Sequence, residues 1–142
     1  MEMDHIGIVV KDLEKAIKFW AETFEYEQTT RIIENSRQKV WVVFMHKKNS
    51  LPIKLISPSE KSSTIYRFAQ QGGGLHHLCF SCCDVTKEVK RLKECGLRIL
   101  VDPEPGEAFQ GENIAFLHSR FLGNVELIDT EKRCFLEAAG RE

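Results

Sequence analysis

The sequence predicts an α+β fold: two tandem βαβββ modules whose strands join into one cupped, open-barrel mixed sheet around a single cavity. Three observations lead there. Asp4-His5-Ile6-Gly7-Ile8-Val9-Val10, followed by Asp12, returns as His76-His77-Leu78-Cys79-Phe80-Ser81-Cys82, followed by Asp84, at an offset of 77 − 5 = 72 residues. The same offset carries Leu13, Ile17 and Trp20 onto Val85, Val89 and Leu92, and Val42, Phe44 and His46 onto Ile114, Phe116 and His118. It also carries Ile53-Lys54-Leu55-Ile56 onto Val125-Glu126-Leu127-Ile128. A repeat that holds one register over four segments decides architecture before any single motif does.

Each element has its own local reason. In the first strand, alternation puts His5, Gly7 and Val9 on one face and Ile6, Ile8 and Val10 on the other. The larger apolar set is expected beneath a helix, which leaves His5 beside the small Gly7 on an open face. Asp12 is a good N-cap, and Leu13, Ala16, Ile17, Trp20 and Phe24 follow at helical spacing. Residues 27–33, rich in Thr and Ile, predict a strand, and Asn35-Ser36 a turn. Residues 40–45 and 53–57 predict two more strands, the second with Lys54 and Ile56 on one face.

A helix over residues 63–71, capped by a serine and stopped by Gly72-Gly73-Gly74, connects the modules. The second module repeats the order. A strand starts at His76, and a helix runs from Asp84 to about Cys95. A short strand at 98–101 precedes a loop with Pro103, Pro105, Gly106 and Gly111, and strands at 114–118 and 125–129 follow. Alternation sends His76 opposite to His77, which predicts a structural role for His76. The whole chain, 1–142, forms one domain: module 3–57, connecting helix 62–74, module 75–129 and tail 130–142. The charged tail from Glu131 predicts a terminal helix without chemistry of its own.

Composition narrows the function. The formal net charge of −1 offers no basic footprint for nucleic acid or membrane. No apolar run reaches the ~20 residues of a membrane helix, and the N-terminus lacks a signal-peptide layout. Five cysteines, an odd count, predict free thiols in a reducing compartment, the cytoplasm. Cys82-Cys83 lacks ligand spacing and reads as two small residues at a strand end.

Four inward-facing positions correspond across the repeat: His5 with His77, and Lys54 with Glu126. If the modules are related by a pseudo-twofold axis, their first and last strands face one cavity. Two imidazoles and a carboxylate there, His5, His77 and Glu126, are the ingredients of a divalent-metal site that zinc, nickel, cobalt, manganese or iron would fit. His46 and His118, on the preceding strands, are expected at strand ends or behind the ligands.

Here the chain resembles a family. The duplicated module, with His at the start of each half and Glu on the last strand, is similar to the vicinal oxygen chelate superfamily. That group includes glyoxalase I, extradiol dioxygenases and bleomycin-resistance proteins. The resemblance is nearest to methylmalonyl-CoA epimerases, through DHIGIVVKDLEKAIKFW, GGGLHHLCF, and IAFLHS followed by GNVELID, over residues 3–130. It implies metal ligands at His5, Lys54, His77 and Glu126, and a homodimer.

The chain departs from the epimerases at two places. They carry Glu or Gln where Lys54 stands, and a protonated ammonium is no ligand. They also carry a catalytic Glu just before the third strand, where this chain reads Ser36-Arg37-Gln38-Lys39. Two site readings follow. In one, His5, His77 and Glu126 hold a metal, and Lys54 lies beside an open position to fix an anionic substrate or stabilise an enolate. In the other, Lys54 pairs with Glu126 and takes the metal's space. The expected function is a glyoxalase- or epimerase-like enzyme, metal-dependent, moving a proton on a small carbonyl, carboxylate or thioester metabolite as an isomerase or lyase, with Glu126 and Lys54 catalytic. The alternatives are a metal-free, non-catalytic ligand-binding protein of the bleomycin-resistance kind and an extradiol-type dioxygenase-like protein.

Overall fold

The computed structural model describes residues 1–136, and its strands form one nine-stranded mixed sheet. In chain order the elements are β1 (Glu2–Val9), α1 (Leu13–Phe24), β2 (Glu27–Gln28), β3 (Ile33–Asn35), β4 (Val40–His46) and β5 (Ile53–Pro58). There follow α2 (Tyr66–Gln70), β6 (Gly74–Ser81), α3 (Val85–Glu94), β7 (Arg98–Pro105), a 3-10 turn (Glu107–Phe109), β8 (Asn113–Ser119) and β9 (Gly123–Ile128).

The sheet order is β2-β4-β5-β1-β6-β9-β8-β7, with β3 also pairing β4. Read outward from the centre, it is the same on both sides. β1 and β6 pair antiparallel, and each takes its module's last strand, β5 or β9, as a parallel neighbour. Antiparallel β4 and β8 come next. β1 and β6 even share boundaries at the repeat offset, 2 + 72 = 74 and 9 + 72 = 81.

Helices cover the convex side. Asp12 accepts from the Lys15 amide and Asp84 from the Lys87 amide, so both N-caps are of the kind expected. Under α1, Leu13 packs with Val43, Met45, Ile53 and Leu55, joined by Ile6, Ile8 and Val10. Under α3, Val85, Val89 and Leu92 pack on Ala115, Leu117, Val125 and Leu127. The concave side holds a third apolar cluster, including Phe44, Ile56, Phe109, Ile114 and Phe116. The functional face of each strand is therefore the one left after α1 and α3 have covered the larger apolar set.

Four local expectations need correction. The strand expected over 27–33 is broken, because the C-terminal segment takes part of its ladder. Thr30 bridges Phe135, the Arg31 amide donates to the Cys134 carbonyl, and the Leu136 amide donates to the Thr29 carbonyl. For the same reason residues 131–136 are not helical; the rest of the expected tail helix lies outside the described residues. The connecting helix is only Tyr66–Gln70 and has no side-chain cap; the Tyr66 amide turns back onto the Ser63 carbonyl. β7 continues past 101 to Pro105 through two register shifts. It is the last strand in the sheet order, and an edge tolerates proline's missing donor.

Candidate active site

Register alone brings the site together. On the concave face His5 stands opposite Cys79, and Gly7 opposite His77. Lys54 neighbours Gly7 on one side, and Glu126 neighbours Cys79 on the other. The His77 ring lies over Gly7, where a Cβ would come within 2.1 Å of its Cε1. A glycine here makes the space the imidazole fills.

His5, Lys54, His77 and Glu126 are all buried and all meet. Glu126 Oε2 lies 2.7 Å from His77 Nε2 and 3.2 Å from His5 Nε2. Lys54 Nζ donates to Oε1 at 3.2 Å and to Oε2 at 3.3 Å. Burial by itself would raise the Glu126 carboxyl, but the Lys54 ammonium, His77 and the His5 bond outweigh it and hold it well below the usual range. Burial pushes the His77 imidazole down to about 3, so its ring is neutral at pH 7.

These bonds assign protons. With Glu126 ionised, His77 donates from Nε2, so its Nδ1 is an acceptor. His76 Nδ1 lies 2.8 Å from that nitrogen and must be the donor. His76 Nε2 is then left with the lone pair. His76 is itself kept neutral by burial and by Lys54.

His76 faces this side because β6 carries an extra residue. Gly7 pairs with His77 but Ile8 with Leu75, so His76 sits in a bulge and loses the alternation that predicted it on the far face. The expected structural role gives way to a place in the cavity wall.

Behind His5 stands a support the sequence did not disclose. His5 Nδ1 lies within hydrogen-bond distance of Asp4 Oδ2 at 2.6 Å, and Arg133 donates to the same oxygen at 2.8 Å. Burial alone would raise Asp4, and the bonds from His5 and Arg133 lower it. The Arg133 guanidinium lies 4.5 Å from the centre of the Phe109 ring and 5.0 Å from that of Phe44. A residue expected in an idle tail therefore closes the site from behind. The one available signal was the run Cys134-Phe135-Leu136 directly after Arg133, three apolar residues in a segment otherwise read as solvated. His46 and His118 bond Thr29 and Asn124 at strand ends, where they were expected.

A cavity of about 920 Å³ opens on the concave side. Lys54 and His76 belong to its wall; Arg37, Lys39, Asp102 and Glu104 are polar groups farther along it. His5, His77 and Glu126 do not line it and lie behind Lys54.

As a metal set, His5, His77 and Glu126 are right in type, and their ligand atoms lie within 4.8 Å of one another. The charge does not fit as the side chains stand. Lys54 holds both carboxylate oxygens, and a divalent ion would add its charge to a buried site already neutralised by that ammonium.

The pattern of the glyoxalase/bleomycin resistance protein/dioxygenase superfamily matches residues 4–116. The chain belongs to that superfamily. It is 32% identical over 120 residues to an ethylmalonyl-CoA/methylmalonyl-CoA epimerase of Cereibacter sphaeroides, covering 83% of this chain and 88% of the relative. It is 30% identical over 132 residues to the mitochondrial methylmalonyl-CoA epimerase of Mus musculus, covering 92% and 72%. Among solved structures it is similar to a methylmalonyl-CoA epimerase in complex with methylmalonyl-CoA and NH4+, with a TM-score of 0.78 at 27% identity, covering 92% of this chain and 94% of that one. The cupped superfamily sheet is thus common to this chain and its relatives. No helix among the described residues is long and apolar enough to cross a membrane.

Proposed function

We propose that the protein is an isomerase of the epimerase type, moving a proton at the carbon beside the carbonyl of a small acyl thioester or related carboxylate-bearing metabolite. One observation carries this reading. The cavity wall sets a fixed cation, Lys54, beside a neutral imidazole, His76, whose Nε2 has its lone pair free. Deprotonation beside a carbonyl sends charge to the oxygen, where an ammonium stabilises it. A neutral imidazole is a competent base near pH 7. Glu126 acts through both, as the carboxylate that pairs Lys54 and orients His77.

The relatives support the reaction class, since those named are epimerases of acyl-CoA thioesters. Arg37, which forms no ion pair among the described residues, supplies the cavity with a cation for a substrate carboxylate or phosphate. All five cysteines are free, in keeping with a cytoplasmic enzyme. We place it in solution as a homodimer, which sedimentation would check.

A second reading puts a divalent ion on His5, His77 and Glu126, favoured by the convergence of three donor atoms. It requires Lys54 to leave Glu126. Bound there, the ion would act as a Lewis acid toward the substrate oxygens.

The test is isotope exchange. Methylmalonyl-CoA, ethylmalonyl-CoA and simpler acyl thioesters are incubated with the protein in D2O, and α-deuteration is followed by mass spectrometry. Exchange above the uncatalysed rate is expected with at least one of them. Saturable binding without exchange would instead mark a ligand-binding protein.

A further inference from the structure

The repeat places Lys54 and Glu126 at equivalent positions on β5 and β9, so the pseudo-twofold axis aims one at the other. Three features then surround the ammonium. Both oxygens of a fully buried carboxylate accept from it. The Phe109 ring, itself buried, presents its face to Nζ at 5.1 Å from the centroid, an arrangement that favours a cation. The remaining side is the cavity, whose wall includes Lys54 but none of His5, His77 and Glu126. A ligand entering the cavity therefore meets the ammonium before any metal-ligating atom.

We propose that Lys54 is a resident cation that takes the place of a divalent metal on His5, His77 and Glu126, so that the protein works without a bound metal ion. This rests on the proton-transfer reading above. In the reaction, the C–H bond beside the carbonyl breaks and its proton passes to a base on the cavity wall. The electron pair becomes the enolate double bond, with charge on oxygen that Lys54 Nζ meets by donating a hydrogen bond. Reprotonation at carbon, from the base or from solvent, completes the exchange. Nothing is oxidised or reduced, and Lys54 keeps its protons throughout.

The chain is purified without chelator or affinity-tag metal and its divalent content measured by elemental analysis. It is then titrated with Zn2+ and Co2+ alongside K54E and K54Q, the Co2+ absorption spectrum reporting ligation. Wild type is expected to hold far less than one ion per chain, and its deuterium exchange to survive EDTA. K54E, with a second carboxylate at that place, should take up one ion per chain and bind Co2+ at least about tenfold more tightly than wild type. K54Q, which keeps a polar group but no charge, should lose about 100-fold or more in exchange rate.

A tightly held divalent ion in wild type at one per chain would overturn the proposal. So would exchange that EDTA abolishes and added metal restores. Circular dichroism guards against misfolded variants, and the two wild-type measurements decide the matter even if neither variant folds. Should wild type exchange no thioester at all, the proton-transfer reading fails, while metal content and the K54E titration still decide whether Lys54 replaces the ion.

Discussion

Lys54 and Glu126 stand 72 residues apart in the chain, on equivalent strands of the two modules, and meet at 3.2 Å with neither side chain more than 5% exposed. Symmetric positions of the repeat thus hold a pair of opposite charges. At these matching positions the first module carries the cation and the second the anion, so the two charges offset each other.

Breaking that pair from one side should be expensive. Glu126→Gln or Lys54→Met alone leaves a buried charge without its partner, at an expected cost of about 3–5 kcal/mol in urea unfolding. The double variant should recover part of this, with a coupling of about 1–3 kcal/mol in the mutant cycle. Strict additivity would mean the two charges do not feel each other.

Stability should fall steadily below neutral pH. His77 is held near 3 when folded against 6.5 in its ordinary state, so the unfolded chain binds the extra proton between those values. Stability from this group is complete above pH 6.5 and is lost as pH falls toward 3, with a slope of up to about 1.4 kcal/mol per pH unit. Glu126, also depressed, adds loss in the same direction below its ordinary range, from about pH 4.5 downward. Urea midpoints taken from pH 8 to pH 4 should decline monotonically. A rise on acidification would contradict the neutral, buried His77.

Gly7→Ala tests the close approach of ring and backbone. The new methyl would fall on the His77 ring. The ring must swing away from Glu126, or β1 and β6 must separate. A loss of about 1–3 kcal/mol in thermal or urea unfolding is expected, as for other overpacked cores. A neutral outcome would place the ring elsewhere.

Arg133→Leu should loosen the tail and His5 together. It removes the guanidinium bond to Asp4 and the contacts over Phe44 and Phe109, and a cost of about 1.5–3 kcal/mol is expected for a bond between charged groups. Hydrogen exchange should rise at the Arg31 and Leu136 amides, which the tail pairing protects. Unchanged protection there would show the tail is held by its backbone alone.

Much of this is legible in the sequence. The helix stripes of α1 and α3 and the alternating faces of β1 follow from local periodicity, and local periodicity survives folding when both faces have fixed partners. His5, Lys54, His77 and Glu126 were legible together only because the repeat placed them at matching positions. His76 was misread because a bulge cancels alternation, and a bulge is a property of two paired strands. Asp4 and Arg133 were overlooked because 133 − 4 = 129 residues separate them, and no local pattern encodes so distant a bond.

The sequence by itself determined the duplicated module, the helix caps, the sheet's two faces and which four polar side chains share the inner one. Each of these depends on spacing along the chain. Only the tertiary structure decided that Lys54 grips Glu126, that His76 turns into the cavity, and that the tail forms the back of the site. Those outcomes depend on strand register and on which charge reaches a buried carboxylate first, and both are set when separate segments meet.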